Sequence, residues 1–498
     1  MKPSLRAGWV AAGLAAVTVA ALVVGGGDAT VMVGPVLLVG LAFVLASLPA
    51  RSSLLLVTFL ALTLENPSEI PAQGRFRTPL YPLGAVLLTH LNLTFPSARA
   101  LIFSGLDVVL VLLAAVALFR RSSRARTSGL TASHTGPLRT LAVLVLAATA
   151  WLWVWGMVRG DADAASGLWQ VQRVVYIPLL LFLFDDGLRP ADAPAVGKVI
   201  VAAACVRAAL ALYIVARVPP LAGPTEGSYA TTHADSMLFA SALCIVVVAM
   251  LERQLRTLRG VAVAALLVGG MLANDRRIVW VEVAAALGVA LTLSPSSTAK
   301  RVLRRTALVT SPLMFVYCAA GWSSDGGVFR PLHMVRSVVD SSSDGSTSWR
   351  DWENYDLCYT IRENPILGTG WGHGYDELVK LPDVSKVYGL YRFAPHNGLL
   401  GLWAYGGLLG FFALWTLLPA GVFLAVRAHS HARTPGERVA SLSAAGAIVV
   451  HSVHCYGDTG LGSWTSIFTV VPALTVAGQL AAATGAWSRG PAGGQSRG

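Results

Sequence analysis

Charge is scarce in this chain. Of its 498 residues, 13% are Asp, Glu, Lys or Arg, against roughly 25% in soluble domains. That scarcity excludes a set of water-soluble domains. Cysteine is sparse as well: Cys205, Cys244, Cys318, Cys358 and Cys455 are scattered without paired spacing, which excludes a disulfide framework. No internal repeat is visible, and this weighs against a secondary transporter built from inverted repeats. The first apolar run, Trp9 to Val24, follows Lys2 and Arg6 but lacks a small-x-small cleavage site before the next run. A retained first helix is therefore expected in place of a signal peptide.

What is present is apolar surface. Hydrophobic residues make up 55% of the chain, and the mean hydropathy is +0.62. Apolar runs recur from end to end, at about 8–25, 31–49, 53–64, 101–119, 140–157, 168–185, 196–216, 235–251, 260–274, 277–294, 306–320, 403–426, 438–456 and 463–482. Runs of this length predict an all-α, polytopic integral membrane protein with about 12–14 transmembrane helices. The segment 81–94 is apolar enough to lie on the membrane surface or dip into it. The net charge of +12 suggests nucleic acid at first sight, but much of the excess sits in short loops between apolar runs. There it sets topology, and no nucleic-acid partner is expected. Four basic connections, at 120–139, 252–259, 300–305 and 427–438, all fall inside if fourteen spans start from a cytoplasmic N-terminus.

The same topology puts 65–100, 217–234, the Asp275-Arg276-Arg277 hairpin and the long insertion 321–395 on the outer face. Within the insertion, Ser341 to Thr347 reads as a linker. Trp352, Tyr355 and Tyr359 then recur at helical spacing, which predicts a helix over 349–363 with Ser348 and Asp351 as its N-cap pair. Asn364 to Tyr375, rich in glycine, terminates it. These glycines are no phosphate loop, because no strand precedes them and the Lys-Ser/Thr ending is missing.

Candidate functional residues follow from charge near the membrane. Arg276 and Arg277 present two planar forks suited to phosphate; equally, they cap a tight hairpin and snorkel to head groups. Arg173 lies one turn into a span, where an arginine is costly enough to be a functional candidate. Glu282 is expected to neutralise one of these arginines or to take part in catalysis. His451, His454 and Asp458 imitate a metal site but read better as polar residues finishing a span; no ligand set for a metal is recognised. His373, His429 and His431 are expected to be solvated. Pro395-His396-Asn397 stands at the mouth of an apolar helix, where free N–H groups attract anions. A neutral His396 there serves as a general base; the plainer alternative makes Asn397 an N-cap and His396 an interfacial side chain.

The ordered set Arg277-x-x-Trp280, Ser348-x-Arg350-x-Trp352, Asn364-Pro-Ile-Leu-Gly-x-Gly370, His396-Asn397 and Gly406-Gly-Leu-Leu-Gly410 resembles the O-antigen ligase/polymerase superfamily, the Wzy- and WaaL-like membrane glycosyltransferases. The matching region runs from about 195 to 425. The resemblance implies a donor of undecaprenyl-diphosphate-linked glycan held by two arginines, matched here by Arg277 and Arg350, and an acceptor hydroxyl served by His396. Arg276 departs from the small hydroxyl residue often found there, leaving open which arginine meets phosphate. Trp349, Trp352, Tyr391 and Arg392 are candidate sugar contacts, and Asn397 an orienting residue. The implied organisation is N-terminal helices over 1–194, a catalytic region over 195–426 including the insertion 321–395, C-terminal helices over 427–482, and a disordered tail over 483–498. The implied setting is a bacterial inner membrane, with the site facing the periplasm and no cofactor. A polymerase of repeat units is expected first and a ligase acting on a lipid A core second. A chain-length regulator and a flippase are the accompanying partners. A transporter is the reading from a different class, and it would need a polar path through the bilayer, whereas these charges cluster at one face.

Overall fold

The computed structural model describes residues 39–64 (all but two), 78–90, 103–125, 136–217, 231–329 (all but 297 and 325), 345–385, 390–458 and 461–487, with Leu332 and Arg336. The expected span 8–25, most of 31–49, the linker 341–344 and the end of the tail, 488–498, lie outside the described residues. Every expected span from 53–64 onward coincides with a helix. The helices from Ala50 onward are α1 (Ala50–Thr63), α2 (Tyr81–Leu88), α3 (Gly105–Ala125), α4 (Pro137–Arg159), α5 (Ala164–Gly187), α6 (Ala193–Arg217), α7 (His233–Leu251), α8 (Thr257–Asn274), α9 (Ile278–Leu293), α10 (Thr298–Gly321), α11 (Gly345–Glu363), α12 (Gly398–Trp415), α13 (Leu417–His431), α14 (Pro435–Gly457) and α15 (Trp464–Ala483). No strand occurs among the described residues, only an isolated bridge between His90 and Ser104. The protein is an all-α, multi-pass membrane protein.

Length explains which helices cross. α4 has 23 residues, about 34 Å at 1.5 Å per residue, against a hydrocarbon core of about 30 Å. Among the described residues, eight helices are long and apolar enough to span, counting α12 and α13 as one 34-residue stretch. The apolar parts of α1, α3 and α9 are shorter. α10 opens on Lys300, Arg301, Arg304 and Arg305, then exposes Leu308, Val309, Leu313 and Phe315, an apolar face suited to lipid. The short α2 matches the apolar segment 81–94, and 484–487 turn back onto the end of α15.

The core centres on α14, which packs against α7, α9, α13 and α15. Its Ser441, Ser443, Ala444, Ala445, Gly446 and Ala447 are small, and small residues let membrane helices approach closely. α15 is buried along nearly its whole length.

The connections sort to two ends. Arg438 pairs with Glu252 at 2.7 Å, and His429 Nε2 meets the Leu293 carbonyl at 3.2 Å, so the basic connections α7–α8, α9–α10 and α13–α14 share one end. His429 is therefore bonded and half-buried where solvation was expected; His431 is exposed. At the opposite end, His233, the first residue of α7, meets Asp458 after α14 at 3.4 Å. Asn274, finishing α8, accepts from Thr231 N and donates to Thr232 O and to Ser236 Oγ. Asp235 caps α7 through Thr232 and takes the Arg207 guanidinium, a buried pair. Arg207 lies within the expected span 196–216 and went unread as a charge at membrane depth.

Candidate functional site

The site is built where α11 meets the mouth of α12. Asn397 caps α12: its Oδ1 accepts from Leu400 N at 3.0 Å, and its Nδ2 donates to Asn354 Oδ1 at 3.1 Å. The capping expectation for Asn397 holds, and it fixes the residue immediately before it. His396 N donates to Glu353 Oε2 at 3.0 Å, and His396 Nδ1 lies 3.1 Å from the same oxygen. Glu353 is buried, while the His396 side chain is 41% exposed. A carboxylate on Nδ1 fixes the ring's orientation and, with a proton on Nδ1, leaves the Nε2 lone pair facing outward. The sequence reading missed Glu353, although it stands three residues after Arg350 and so on the same helical face.

α11 begins at Gly345, a turn earlier than predicted, so Ser348 is inside the helix and Ser348–Asp351 is not its N-cap pair. Arg350 is half-buried in its first turns. His233 feels the charges of both Arg350 and Arg276, as well as those of Asp458 and His454. Thus the α8–α9 hairpin, α11 and the end of α14 converge on one charged locus. Asp275 at φ 49° turns the hairpin; Arg276 after it is buried, at 8% exposure, and Arg277 is half-buried at the start of α9.

Glu282 does not neutralise an arginine as expected. It meets His454 Nδ1 at 2.8 Å, both side chains fully buried. His451 Nε2 faces Cys455 Sγ at 3.6 Å, and Asp458 faces His233. The residues that imitate a metal site thus turn to separate partners, and His454 and Asp458 join the polar network below the arginines. The buried side chains of Glu282 and His454 are each other's hydrogen-bond partner across α9 and α14. The sequence separates these two by 172 residues, and no local pattern could have joined them.

The mouth of α12 is held by an interlock. Gly407 interrupts the helix at φ 57°, and the turn after α11 fills the break. Leu408 N donates to Pro365 O at 2.8 Å, Thr369 N to Ala404 O at 3.1 Å and Gly370 N to Tyr405 O at 2.8 Å. Backbone groups released by the kink are satisfied by the turn, as an apolar setting demands. Only glycine fits: a Cβ at Gly407 would meet Ile366 O at 2.3 Å, and one at Gly368 (φ 67°) would meet Tyr405 O at 2.3 Å. The turn also locks onto the α4–α5 hairpin. Trp155 Nε1 donates to Gly368 O, Trp371 N to Leu152 O, and Gln170 bonds Gly372 N, His373 O and Phe393 O. His373 Nε2 contacts Gly156 O at 3.1 Å, so it is bonded and half-buried where solvation was expected.

Residues 227–415, less than half of the chain but containing His396, Glu353, Arg350, Arg276 and Arg277, match the family model described as O-antigen ligase. That region belongs to the O-antigen ligase/polymerase superfamily. No curated protein matches the chain. Within the O-antigen ligase region, Trp349 lies 6.3 Å from Tyr391 between ring centroids, and Trp352 packs edge-on to Tyr355 at 6.4 Å with both rings largely exposed. The Tyr391 hydroxyl donates to Glu377 Oε1; burial, then that carboxylate, raises its pKa, so the phenol stays a donor. Arg392, at φ 69°, gives its Nε and an Nη to Tyr375 O at 2.9 and 2.7 Å. Its fork is thus partly used within the O-antigen ligase region. Arg173 lies upstream of it in α5, and its side chain falls outside what the structure describes.

Proposed function

We propose that the chain is a polymerase joining undecaprenyl-diphosphate-linked oligosaccharide repeat units into a surface polysaccharide, at the periplasmic face of a bacterial inner membrane. The observation that carries this reading is the buried carboxylate of Glu353 on Nδ1 of His396, one turn of α11 from Arg350. His396 Nε2 takes the proton from an acceptor sugar hydroxyl. The oxygen attacks the anomeric carbon of the donor, the bond from that carbon to the diphosphate oxygen breaks, and the electron pair leaves with the diphosphate. Attack opposite the leaving group inverts the carbon. Arg350 and Arg276, the buried member of the hairpin pair, neutralise the charge that grows on the departing diphosphate, the largest single demand of such a step. Arg277 supports them from the start of α9. A flippase and a chain-length regulator are the partners this reading calls for.

The family description favours a second reading, a ligase transferring finished glycan to a lipid A core. Purified protein with lipid-linked repeat unit separates the two. A ladder of lengthened chains on the lipid carrier is expected; no lengthening, with transfer of preformed chains onto a core acceptor, would favour the ligase. Because arginines carry the charge, product formation is expected to persist in EDTA. Inhibition by the chelator that a divalent cation restores would overturn that part of the mechanism.

A further inference from the structure

A cavity of about 640 Å³ opens at the far end of α11, within the range typical of small-ligand sites. Its walls carry three carboxylates, Glu363, Asp376 and Glu377, and three cations, Arg159, Lys380 and Arg392. This even balance disfavours phosphate, which needs cations in excess. It suits a ligand of many hydroxyls, each a donor toward carboxylate and an acceptor toward ammonium or guanidinium. Tyr359 adds a ring face for the apolar side of a sugar.

The walls are preset. Arg159 is braced by Asn364 Oδ1 at 2.8 Å, Glu377 by the Tyr391 hydroxyl and Arg392 by the Tyr375 carbonyl. Side chains already held lose less freedom when a ligand binds. Three of the six charged groups therefore meet a ligand in place.

Position decides which glycan. α11 carries Arg350, then Glu353 under His396, then Tyr359 and Glu363 on the cavity. From Glu353 to Glu363 the helix rises about 15 Å, the length of a short oligosaccharide. Along this ruler Arg350 and the cavity lie on opposite sides of Glu353, which holds His396. An inverting displacement needs its acceptor opposite the departing diphosphate, so the cavity is on the acceptor's side.

We propose that this cavity is a subsite for interior sugars of the acceptor glycan, gripping the chain while its terminal hydroxyl reaches His396. The assignment of side rests on the polymerase or ligase reading above; the glycan-binding property does not. Oligosaccharides released by partial hydrolysis of the host's own surface polysaccharide are the probe. Calorimetry with the full chain in detergent compares the parent with a Glu363→Ala/Lys380→Ala double variant and with Tyr359→Ala. Both substituted chains are expected to bind tetrasaccharides about tenfold more weakly or worse, the first through loss of two charged contacts and the second through loss of the ring face, with monosaccharide binding unaltered. In the transfer assay the KM for long acceptors is expected to rise about tenfold relative to that for a single repeat unit, while the KM for the donor holds. Equal tetrasaccharide affinity in parent and variants, no binding by the parent, or a rise confined to the donor KM would each overturn the subsite. Weakened binding in the variants with no transfer by the parent would uphold the glycan site and remove the enzymatic reading instead.

Discussion

His396 depends on a carboxylate 43 residues upstream, and its chemistry is that of the pair. Glu353→Gln keeps an acceptor for Nδ1–H but removes the charge, so kcat is expected to fall about 10–100-fold, the usual cost of losing an orienting partner. His396→Ala is expected to cost about 10²–10⁴-fold, the contribution of a positioned base. The double variant should be no worse than His396→Ala alone, since groups acting as a unit are not additive; an additive loss in the transfer assay would separate them. Asn397→Ala removes a cap, costs about 1 kcal/mol of local stability and leaves partial activity. Arg276→Lys and Arg350→Lys retain charge but lose the planar fork, and each is expected to lower product formation more than tenfold, on the order of one bidentate contact. Arg277→Lys should be milder, and equal losses at 276 and 277 would return Arg277 to the phosphate. His396, Asn397 and Arg350 were legible in the sequence because each sits in a short ordered motif. Glu353 was legible in principle from its spacing to Arg350, whereas Glu282–His454 and His233–Asp458 join segments that nothing local connects.

Helix positions were readable for a simple reason: a run of apolar residues long enough to cross lipid has few other ways to satisfy its backbone. The start of α11 was not, because Gly345, Ser346 and Thr347 have weak intrinsic preference and read as linker. The break at Gly407 was hidden too, since glycine in an apolar helix usually signals close packing. Its partner turn at 365–370 resembled a simple terminator. Adding a methyl group tests the interlock. Gly407→Ala and Gly368→Ala each force a positive φ and a 2.3 Å clash with a carbonyl oxygen, and each is expected to destabilise by about 1–3 kcal/mol or more. At Gly288 in α9 an added methyl group would have no neighbour within 4 Å, so Gly288→Ala should be neutral or stabilising by up to about 1 kcal/mol. Thermal unfolding in detergent reads all three, and an unaltered midpoint for Gly407→Ala would count against the interlock.

At the scale of the whole molecule, basic connections gather at one end and the site at the other, the arrangement expected if the site faces outward. The chain carries its own probe. Cys358 on α11 is exposed, Cys205 and Cys318 are half-buried, and Cys244 and Cys455 are buried. A membrane-impermeant maleimide added to intact spheroplasts is expected to label the protein, and Cys358→Ser to abolish most of that labelling. Labelling of Cys358 only after lysis would invert the topology and with it the proposed donor side. The Trp155–Gly368 bond bears on how the protein is made. Its two ends are 213 residues apart, roughly 10–40 s of synthesis at ordinary ribosomal speed. For that interval α4 and α5 wait in the bilayer without the turn that locks onto them through Gly368 and Trp371. A chain stalled before residue 368 can therefore be inserted and still lack any trace of a working centre, so membrane abundance alone is a poor proxy for functional yield.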